Sequence, residues 1–215
     1  MLLVINHQKG GVGKSTLSWN LAITFQKILN KQIEVVDLDV QQTITLSNYV
    51  RNQVGLQNLN IKTFKDAESF KKYIALDNDD KLIICDTGAY DSSLNRLAAL
   101  AADMIITPLS NSTVELQGLK TYEKIIKDIQ IKSGVDIIPF VVLNNIDPRT
   151  KNLEDIKNYI GKDGSFQVLD SVICRRTDFI GSITNGKSVQ EYKENSKAAI
   201  EINALIEEIK SKLSI

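Results

Sequence analysis

The sequence contains little cysteine, proline or histidine, and it has no long hydrophobic run. Its two cysteines, Cys85 and Cys174, lack the paired spacing of a zinc, iron–sulfur or disulfide site, which favours a reducing cytoplasm. One histidine, His7, argues against a catalytic triad, and we expect it to be a turn residue. No stretch reaches membrane-spanning length, and the apolar start breaks at Asn6 before it could act as a signal peptide. We therefore expect a soluble chain.

Charge and length limit the classes of protein further. The 26 basic and 26 acidic side chains cancel, so contact with nucleic acid or a membrane would need a local patch. A chain of 215 residues with 43% apolar content can bury one sizeable core without disulfides or metals. No linker, repeat or glycine-rich tract marks a boundary. The expectation is a single domain over residues 1–215.

Short apolar runs alternate with segments of helix length along the chain. The runs cover residues 2–6, 33–37, 82–86, 104–108, 137–144 and 168–173, with a more polar candidate edge strand at 59–64 before a helix near 66–76. Runs that are apolar on both faces and alternate with helices predict a doubly wound α/β fold, a mostly parallel sheet covered on both sides. Ligands of such sheets bind at the carboxyl ends of the strands.

The segment from Lys9 to Thr16, KGGVGKST, follows the first apolar run and leads into a helical pattern. A strand, a glycine loop and a helix together form a phosphate cradle, because glycine lets backbone N–H groups turn toward an anion at the positive end of the helix. Lys14 would contact the β and γ phosphates of a nucleoside triphosphate, Ser15 would bind Mg²⁺ and Thr16 would reach the α phosphate. The predicted cofactor-binding residues of the loop are Gly10, Gly11, Val12, Gly13, Lys14, Ser15 and Thr16.

The loop departs from the general P-loop pattern at two positions. Gln8 stands where the pattern has its first glycine, and Lys9 is a second lysine inside the loop. This arrangement resembles the deviant Walker A motif of the ParA/MinD class of P-loop ATPases. The resemblance implies that Lys9 reaches across an ATP-dependent homodimer to the partner's nucleotide. A triphosphate in a water-poor interface needs more cationic charge than one lysine and one Mg²⁺ supply. Lys9 and Lys14 are therefore both predicted to be catalytic.

Acidic residues end the next two central strands. Asp37 and Asp39 follow the run at 33–37, and Asp86 ends the apolar run at 82–86 as a Walker B acid would. The resemblance implies that Asp39 orients the attacking water and that Asp86 holds Mg²⁺ with Ser15, assisted by Asp37. Val40 stands where the family commonly has proline. The alternative is that Asp37 and Asp39 only end a strand or cap the helix before Thr43.

Two further segments are predicted to face the nucleotide. Residues 87–91 resemble switch II, in which Gly88 would let the backbone approach the γ phosphate. Asn144 and Asn145 end a strand with amides whose donor and acceptor can read an adenine edge. An asparagine-rich turn is the alternative for this pair.

The resemblance covers nearly the whole chain, and in the C-terminal third it implies DNA binding without sequence preference. The candidate phosphate-contacting residues are Arg175, Arg176, Lys187, Lys193 and Lys197. An ordinary solvated charged face is the alternative. The terminal helix is predicted to pack on the body through Ile200, Ala204, Leu205, Ile209 and Leu213. Its acids argue against a membrane-binding tail.

Together these features resemble a short ParA-like partition ATPase. The first strand begins at Leu2, so no N-terminal helix-turn-helix is expected. The implied cycle closes an ATP–Mg²⁺ sandwich dimer on nucleoid DNA, and a centromere-binding partner, ParB-like or small and ParG-like, stimulates hydrolysis. Three alternatives stay open: an ATPase that positions a division site or carboxysome, a metabolic synthetase or kinase similar to dethiobiotin synthetase, and an adaptor without turnover. Lys9 opposes the synthetase.

Overall fold

A computed structural model describes residues 1–76 and 80–215, which form seven strands and nine helices. In chain order they are β1 Leu2–Ile5, α1 Lys14–Ile28, β2 Gln32–Asp37, α2 Thr43–Gln53, β3 Asn60–Lys62, α3 Ala67–Ile74, β4 Lys81–Asp86, α4 Ser93–Ala101, β5 Met104–Leu109, α5 Thr113–Ser133, β6 Phe140–Ile146, α6 Leu153–Gly161, β7 Gln167–Cys174, α7 Thr177–Thr184, α8 Val189–Tyr192 and α9 Lys197–Leu213.

The seven strands form one parallel sheet in the order β3-β2-β4-β1-β5-β6-β7. This confirms the predicted doubly wound α/β fold, including the edge strand β3. One strand begins later than predicted, because β6 starts at Phe140 and not at residue 137. Pro139 has no N–H for a ladder, and it contributes only its carbonyl, which accepts the Gln167 N–H at 3.1 Å.

Helices cover both faces of the sheet and bury two apolar cores. One core packs α1, α2 and α7 to α9 against the sheet, and the other packs α3 to α6 against the opposite face. Trp19 of α1 is fully buried in the first core, as predicted. Strand residues of β1, β4 and β5 contribute to both cores, since alternate side chains point to opposite faces. The sheet thereby holds β1 rigidly at its centre, directly before the glycine loop.

The prediction for α9 is partly wrong. Ile200 is 61% exposed and Ala204 is exposed, although Leu205 and Ile209 are buried as predicted. The buried stripe instead runs through Ala198, Ile202, Leu205 and Ile209, with spacings of four, three and four residues. The helix is therefore rotated relative to the predicted face, and Ile200 lies beside the stripe.

Acidic side chains of α9 protect the exposed edge of β7. The Glu208 carboxylate accepts the backbone N–H groups of Asp170 at 2.8 Å and Ser171 at 2.9 Å. Glu201 accepts the Cys174 N–H at 3.0 Å. Unpaired N–H groups of an edge strand would otherwise invite another strand. The acidic side chains of α9 thus have a structural role.

Within residues 1–76 and 80–215, no helix combines the length and apolarity needed to cross a bilayer.

Candidate nucleotide-binding site

Parallel strands bring the predicted site residues to one edge of the sheet. The glycine loop follows β1, while Asp37 and Asp86 end β2 and β4 and are register partners. Asn144 lies near the end of β6, and Arg175 directly follows β7. Because all these strands point the same way, their carboxyl ends surround the loop.

Two of the loop glycines adopt conformations that favour glycine. Gly11 has φ of 79° and Gly13 has φ of 96°, whereas Gly10 does not have positive φ. At Gly13 an added Cβ would also lie 2.3 Å from the Asn144 amide nitrogen. Gly13 therefore needs both its backbone freedom and its missing side chain.

Helix α1 starts from this loop with free backbone donors. Its N-cap is Gly13, and within the described chain no side chain caps its first turn and no acid lies in that turn. Five other helices start with a capping Asp or Ser side chain: α3, α4, α5, α8 and α9. An uncapped first turn at the positive end of a helix dipole fits an anion such as a phosphate.

Lys14 lies inside the loop. Its ammonium donates to the Lys9 carbonyl at 3.0 Å, and the residue is 5% exposed. Burial lowers the pKa of Lys14, while the negative charges of Asp86 and Asp39 oppose that shift. The two carboxylates thus favour the charged form of Lys14, in the loop where the predicted β and γ phosphates would lie.

Asp86 has the environment expected of a magnesium-binding acid. It is fully buried, and its Oδ1 accepts the Ser18 hydroxyl at 3.0 Å. Its Oδ2 has no hydrogen-bond partner among the residues that the structure describes. Burial raises the pKa of Asp86 to about 7, and the hydrogen bond from Ser18 opposes that shift. A divalent cation would satisfy the free oxygen and stabilise the ionised form.

The donor set therefore fits Mg²⁺ carried by a nucleotide. Mg²⁺ in such sites takes one or two carboxylates together with phosphate oxygens and water. Ser15 and Asp86 would hold it, and it would neutralise phosphate charge. No group of three or more His, Cys, Asp or Glu side chains that could cage a metal occurs in the described ranges. Ser18 was missed from the sequence, although it lies one helical turn after Lys14.

Asp37 makes the contacts of a helix cap in this structure. Its Oδ2 accepts both the Thr45 N–H at 3.2 Å and the Thr45 hydroxyl at 2.7 Å, in the first turn of α2. Its Oδ1 accepts the Asp39 N–H at 3.2 Å. Burial raises the pKa of Asp37, and these hydrogen bonds lower it. The capping alternative thus describes its contacts, and a role near the metal stays a prediction.

Asp39 is half-buried at the start of the following turn. Its Oδ1 accepts the Gln41 N–H at 2.9 Å, and its charge acts on Lys14. The carboxylate therefore lies on the loop side of β2. Its orientation of an attacking water stays a prediction.

Asn144 and Asn145 form hydrogen bonds with the loop and with the residue that follows β7. Asn144 donates to the Val12 carbonyl at 2.7 Å, which fixes the loop. Asn145 is exposed with φ of 59°, and its Oδ1 accepts the Arg175 Nε at 3.1 Å. Adenine recognition by either amide stays a prediction.

A cleft of about 270 Å³ opens beside the loop between the ends of β6 and β7 and the start of α7. Its lining residues are Gly11, Gly13, Thr16, Asn144, Asn145, Cys174, Arg175, Arg176, Phe179 and Ile180. Phe179 and Ile180 form an apolar wall that the sequence interpretation missed. Apolar walls with a few polar groups are typical of nucleotide-base sites.

The five candidate DNA-binding residues differ in their surroundings. Arg175 and Arg176 line the cleft, and Arg176 pairs with Glu201 at 2.6 Å. The Lys187 carbonyl accepts the Trp19 Nε1–H at 2.8 Å, which fixes the backbone before α8. Lys193 and Lys197 are exposed on either side of the turn between α8 and α9. DNA contact by any of them stays a prediction.

His7 and residues 87–91 complete the surroundings of the loop. His7 is fully buried, stacks on Tyr122 at 5.5 Å and accepts the Lys9 N–H at 3.0 Å. Burial, followed by the charges of Lys14 and Lys9, lowers its pKa to about 4, so it is neutral. Its burial was not predicted, but its hydrogen bond does shape the turn. The Gly88 carbonyl in the predicted switch II accepts the Asn95 amide at 3.1 Å.

The sequence matches a family model described as the CobQ/CobB/MinD/ParA nucleotide binding domain over residues 3–189. The chain belongs to this family. It is 26% identical over 242 residues to the virulence plasmid ParA family protein pGP5-D of Chlamydia psittaci, across 95% of this chain and 92% of that protein. It is thus a ParA/MinD-type partition or positioning ATPase.

Solved structures of family members share the fold. A McdA variant of Cyanothece in complex with ATP is 14% identical, with a TM-score of 0.74 over 100% of this chain and 96% of that one. The septum site-determining protein MinD of Pyrococcus horikoshii, complexed with Mg-ADP, is 19% identical, with a TM-score of 0.70 over 99% and 96%. At these identities the likeness concerns the fold alone.

Proposed function

We propose that this chain is an ATP-driven DNA partition switch that works as a sandwich dimer. The observation that carries the proposal is the second lysine of the loop. Lys14 is buried and fixed inside the loop, whereas the Lys9 side chain is 33% exposed at its edge. One cation is thus committed to the chain's own nucleotide, and the other is available to a second copy.

The residues of the site would share the work of hydrolysis. Lys14 and the partner copy's Lys9 would stabilise charge that develops on the transferring phosphoryl group. Asp39 would orient the attacking water, and Ser15 and Asp86 would hold Mg²⁺, with Asp37 keeping the start of α2 in place. The missing side-chain cap of α1 supports phosphate binding at this point.

DNA is the cargo we propose, with an association with the nucleoid in the ATP state. Arg175, Lys193 and Lys197 are the exposed basic candidates, and a dimer would present two copies of each. Two weak phosphate-binding faces held together gain avidity. The curated relative from a virulence plasmid supports plasmid cargo. A centromere-binding protein would stimulate hydrolysis and release the dimer.

The test is an ATPase assay with three additions. We expect low basal turnover that rises with DNA together with a small basic DNA-binding protein encoded beside this gene. Turnover that rises with another cargo protein and ignores DNA would favour a positioning ATPase. Consumption of ATP only with a small metabolite would contradict the proposal and favour a synthetase.

A further inference from the structure

The Lys9 side chain lies on its own chain in this structure. Its Nζ is 3.9 Å from the Glu115 Oε1 in the first turn of α5. Its aliphatic stem crosses the same helix one turn later, where a Cβ added to Gly118 would lie 3.6 Å from the Lys9 Cδ. Lys9 therefore rests along the start of α5.

Glu115 is held firmly in place. Its other oxygen, Oε2, accepts the Ser110 N–H at 2.6 Å, and its own N–H donates to the Ser112 hydroxyl at 3.2 Å. The side chain is 15% exposed. The carboxylate is thus a fixed acceptor, while the Lys9 side chain lies partly in solvent.

The rest of the loop start is seated on the same helix. The Gln8 amide donates to the Gly118 carbonyl at 3.1 Å, and the His7 ring lies 3.6 Å from a Cβ added to Gly118. His7, Gln8 and Lys9 therefore all lie against Gly118 of α5. Glu115 lies one helical turn before that position, where it meets the end of the Lys9 side chain.

We propose that Glu115 is a positioning residue that holds Lys9 in the monomer and competes with its contact across the dimer. This inference rests on the proposed function. A Lys9 side chain extended toward a partner's phosphate would leave Glu115 of its own chain, so closing a dimer would break two such pairs. A partly exposed ion pair is weak enough to be exchanged. Glu115 thereby sets how readily the dimer closes.

The first test measures Lys9 in the nucleotide-free protein. Glu115→Gln keeps an oxygen for the Ser110 N–H and removes the charge, and Glu123→Gln on the same helix is the matched control because Glu123 pairs with Lys127 at 2.6 Å. Amine acylation followed by peptide mass spectrometry should show faster modification of Lys9, by about 2- to 5-fold, only in Glu115→Gln. Equal rates at Lys9 in all three proteins would overturn the inference.

The second test measures dimerisation with a non-hydrolysable ATP analogue by analytical ultracentrifugation. Loss of two pairs should lower the dimer dissociation constant of Glu115→Gln by about 2- to 30-fold, and Glu123→Gln should match the wild type. An unchanged or weaker dimer, with thermal unfolding unchanged, would also overturn the inference. If the wild type forms no dimer, the proposed function fails, and the acylation rates still decide whether Glu115 holds Lys9.

Discussion

At the scale of single residues, the site requires a residue without a side chain at position 13. Gly13 combines φ of 96° with a position 2.3 Å from the Asn144 amide nitrogen for any added Cβ. The same amide binds the Val12 carbonyl. A side chain at residue 13 would therefore strain the backbone and displace the group that fixes the loop.

Gly13→Ala should abolish ATP binding while the protein remains folded, because the clash falls on the loop and the sheet beneath it is intact. Isothermal titration with an ATP analogue and circular dichroism would measure this. The matched control is Gly55→Ala, which has φ of 73° and open space around its Cβ. It should cost only about 1 kcal/mol of stability. Full ATP affinity in Gly13→Ala would refute this reading of the loop.

Asp86 should make stability depend on pH. Its pKa is about 7 in the folded protein, against 3.8 for an ordinary aspartate, so between these values the folded state binds more protons. The contribution of Asp86 to the stability of the folded protein is present below about pH 4 and is lost as the pH rises to about 7. His7 changes the stability with pH in the opposite direction, because burial lowers its pKa. Asp86→Asn is therefore compared with wild type, which has the same His7, by urea unfolding without nucleotide. Between pH 5 and 7 the variant should gain relative stability, at most about 1.4 kcal/mol per pH unit. If the free energies of unfolding of the two proteins changed in parallel with pH, this prediction would be wrong.

Residues of the site could be predicted from the sequence where a motif fixed their partners. The loop spacing placed Lys14, Ser15 and Gly13 correctly at the start of α1. The role of Asn144 in reading adenine stays a prediction, whereas its hydrogen bond to Val12 was not predicted, because it depends on the strand end lying directly beside the loop. Such contacts join residues far apart in the chain, and no local pattern reveals them.

At the scale of elements, an ion-pair cluster joins the helices α1, α2 and α8. Arg51 of α2 is 2% exposed and binds Glu191 of α8 through two contacts of 2.6 and 2.9 Å. Lys27, in the last turn of α1, binds the same carboxylate at 2.7 Å. Helix α1 begins at the loop and α2 follows Asp39, so this cluster connects both with α8.

Glu191→Gln should destabilise the fold by about 3 kcal/mol at neutral pH, because it leaves Arg51 buried without its counter-charge. The melting temperature should fall by about 6 to 12 °C. Burial raises the pKa of Glu191, but hydrogen bonds from Arg51 and Lys27 outweigh it and bring the pKa to about 2. The stabilisation should therefore be present above about pH 4.5 and disappear as the pH falls toward 2.

The control for this pair is Glu68→Gln on α3. Glu68 and Lys72 form an ion pair with side chains 77% and 74% exposed. Its loss should cost under about 1 kcal/mol. Equal melting temperatures for the two variants would show that the cluster contributes no more than an exposed pair.

The elements themselves were predictable where burial covers both faces of a strand. The apolar runs at residues 33–37 and 82–86 became β2 and β4 with little change. The face of α9 was harder, because α9 carries apolar residues around much of its circumference. Glu201 and Glu208 fix its orientation through the β7 edge, and that contact arises only after the chain has folded.

At the scale of the whole molecule, the fold directs its chemistry to one edge and leaves a zero net charge overall. The proposed attraction to DNA would then have to come from local basic residues such as Lys193 and Lys197, and from doubling them in a dimer. The state of association is thus the property on which partition would depend. The family fold was predictable from the loop and the strand pattern, and the dimer stays a prediction that rests on Lys9.

The most direct test of the account is the association state of Lys9→Ala. With a non-hydrolysable ATP analogue and Mg²⁺, light scattering after gel filtration should show a wild-type dimer. Lys9→Ala should bind the analogue with similar affinity, since Lys14 remains, and should stay monomeric. A wild type that remains monomeric with bound nucleotide, or a Lys9→Ala protein that dimerises as well as the wild type, would contradict the account.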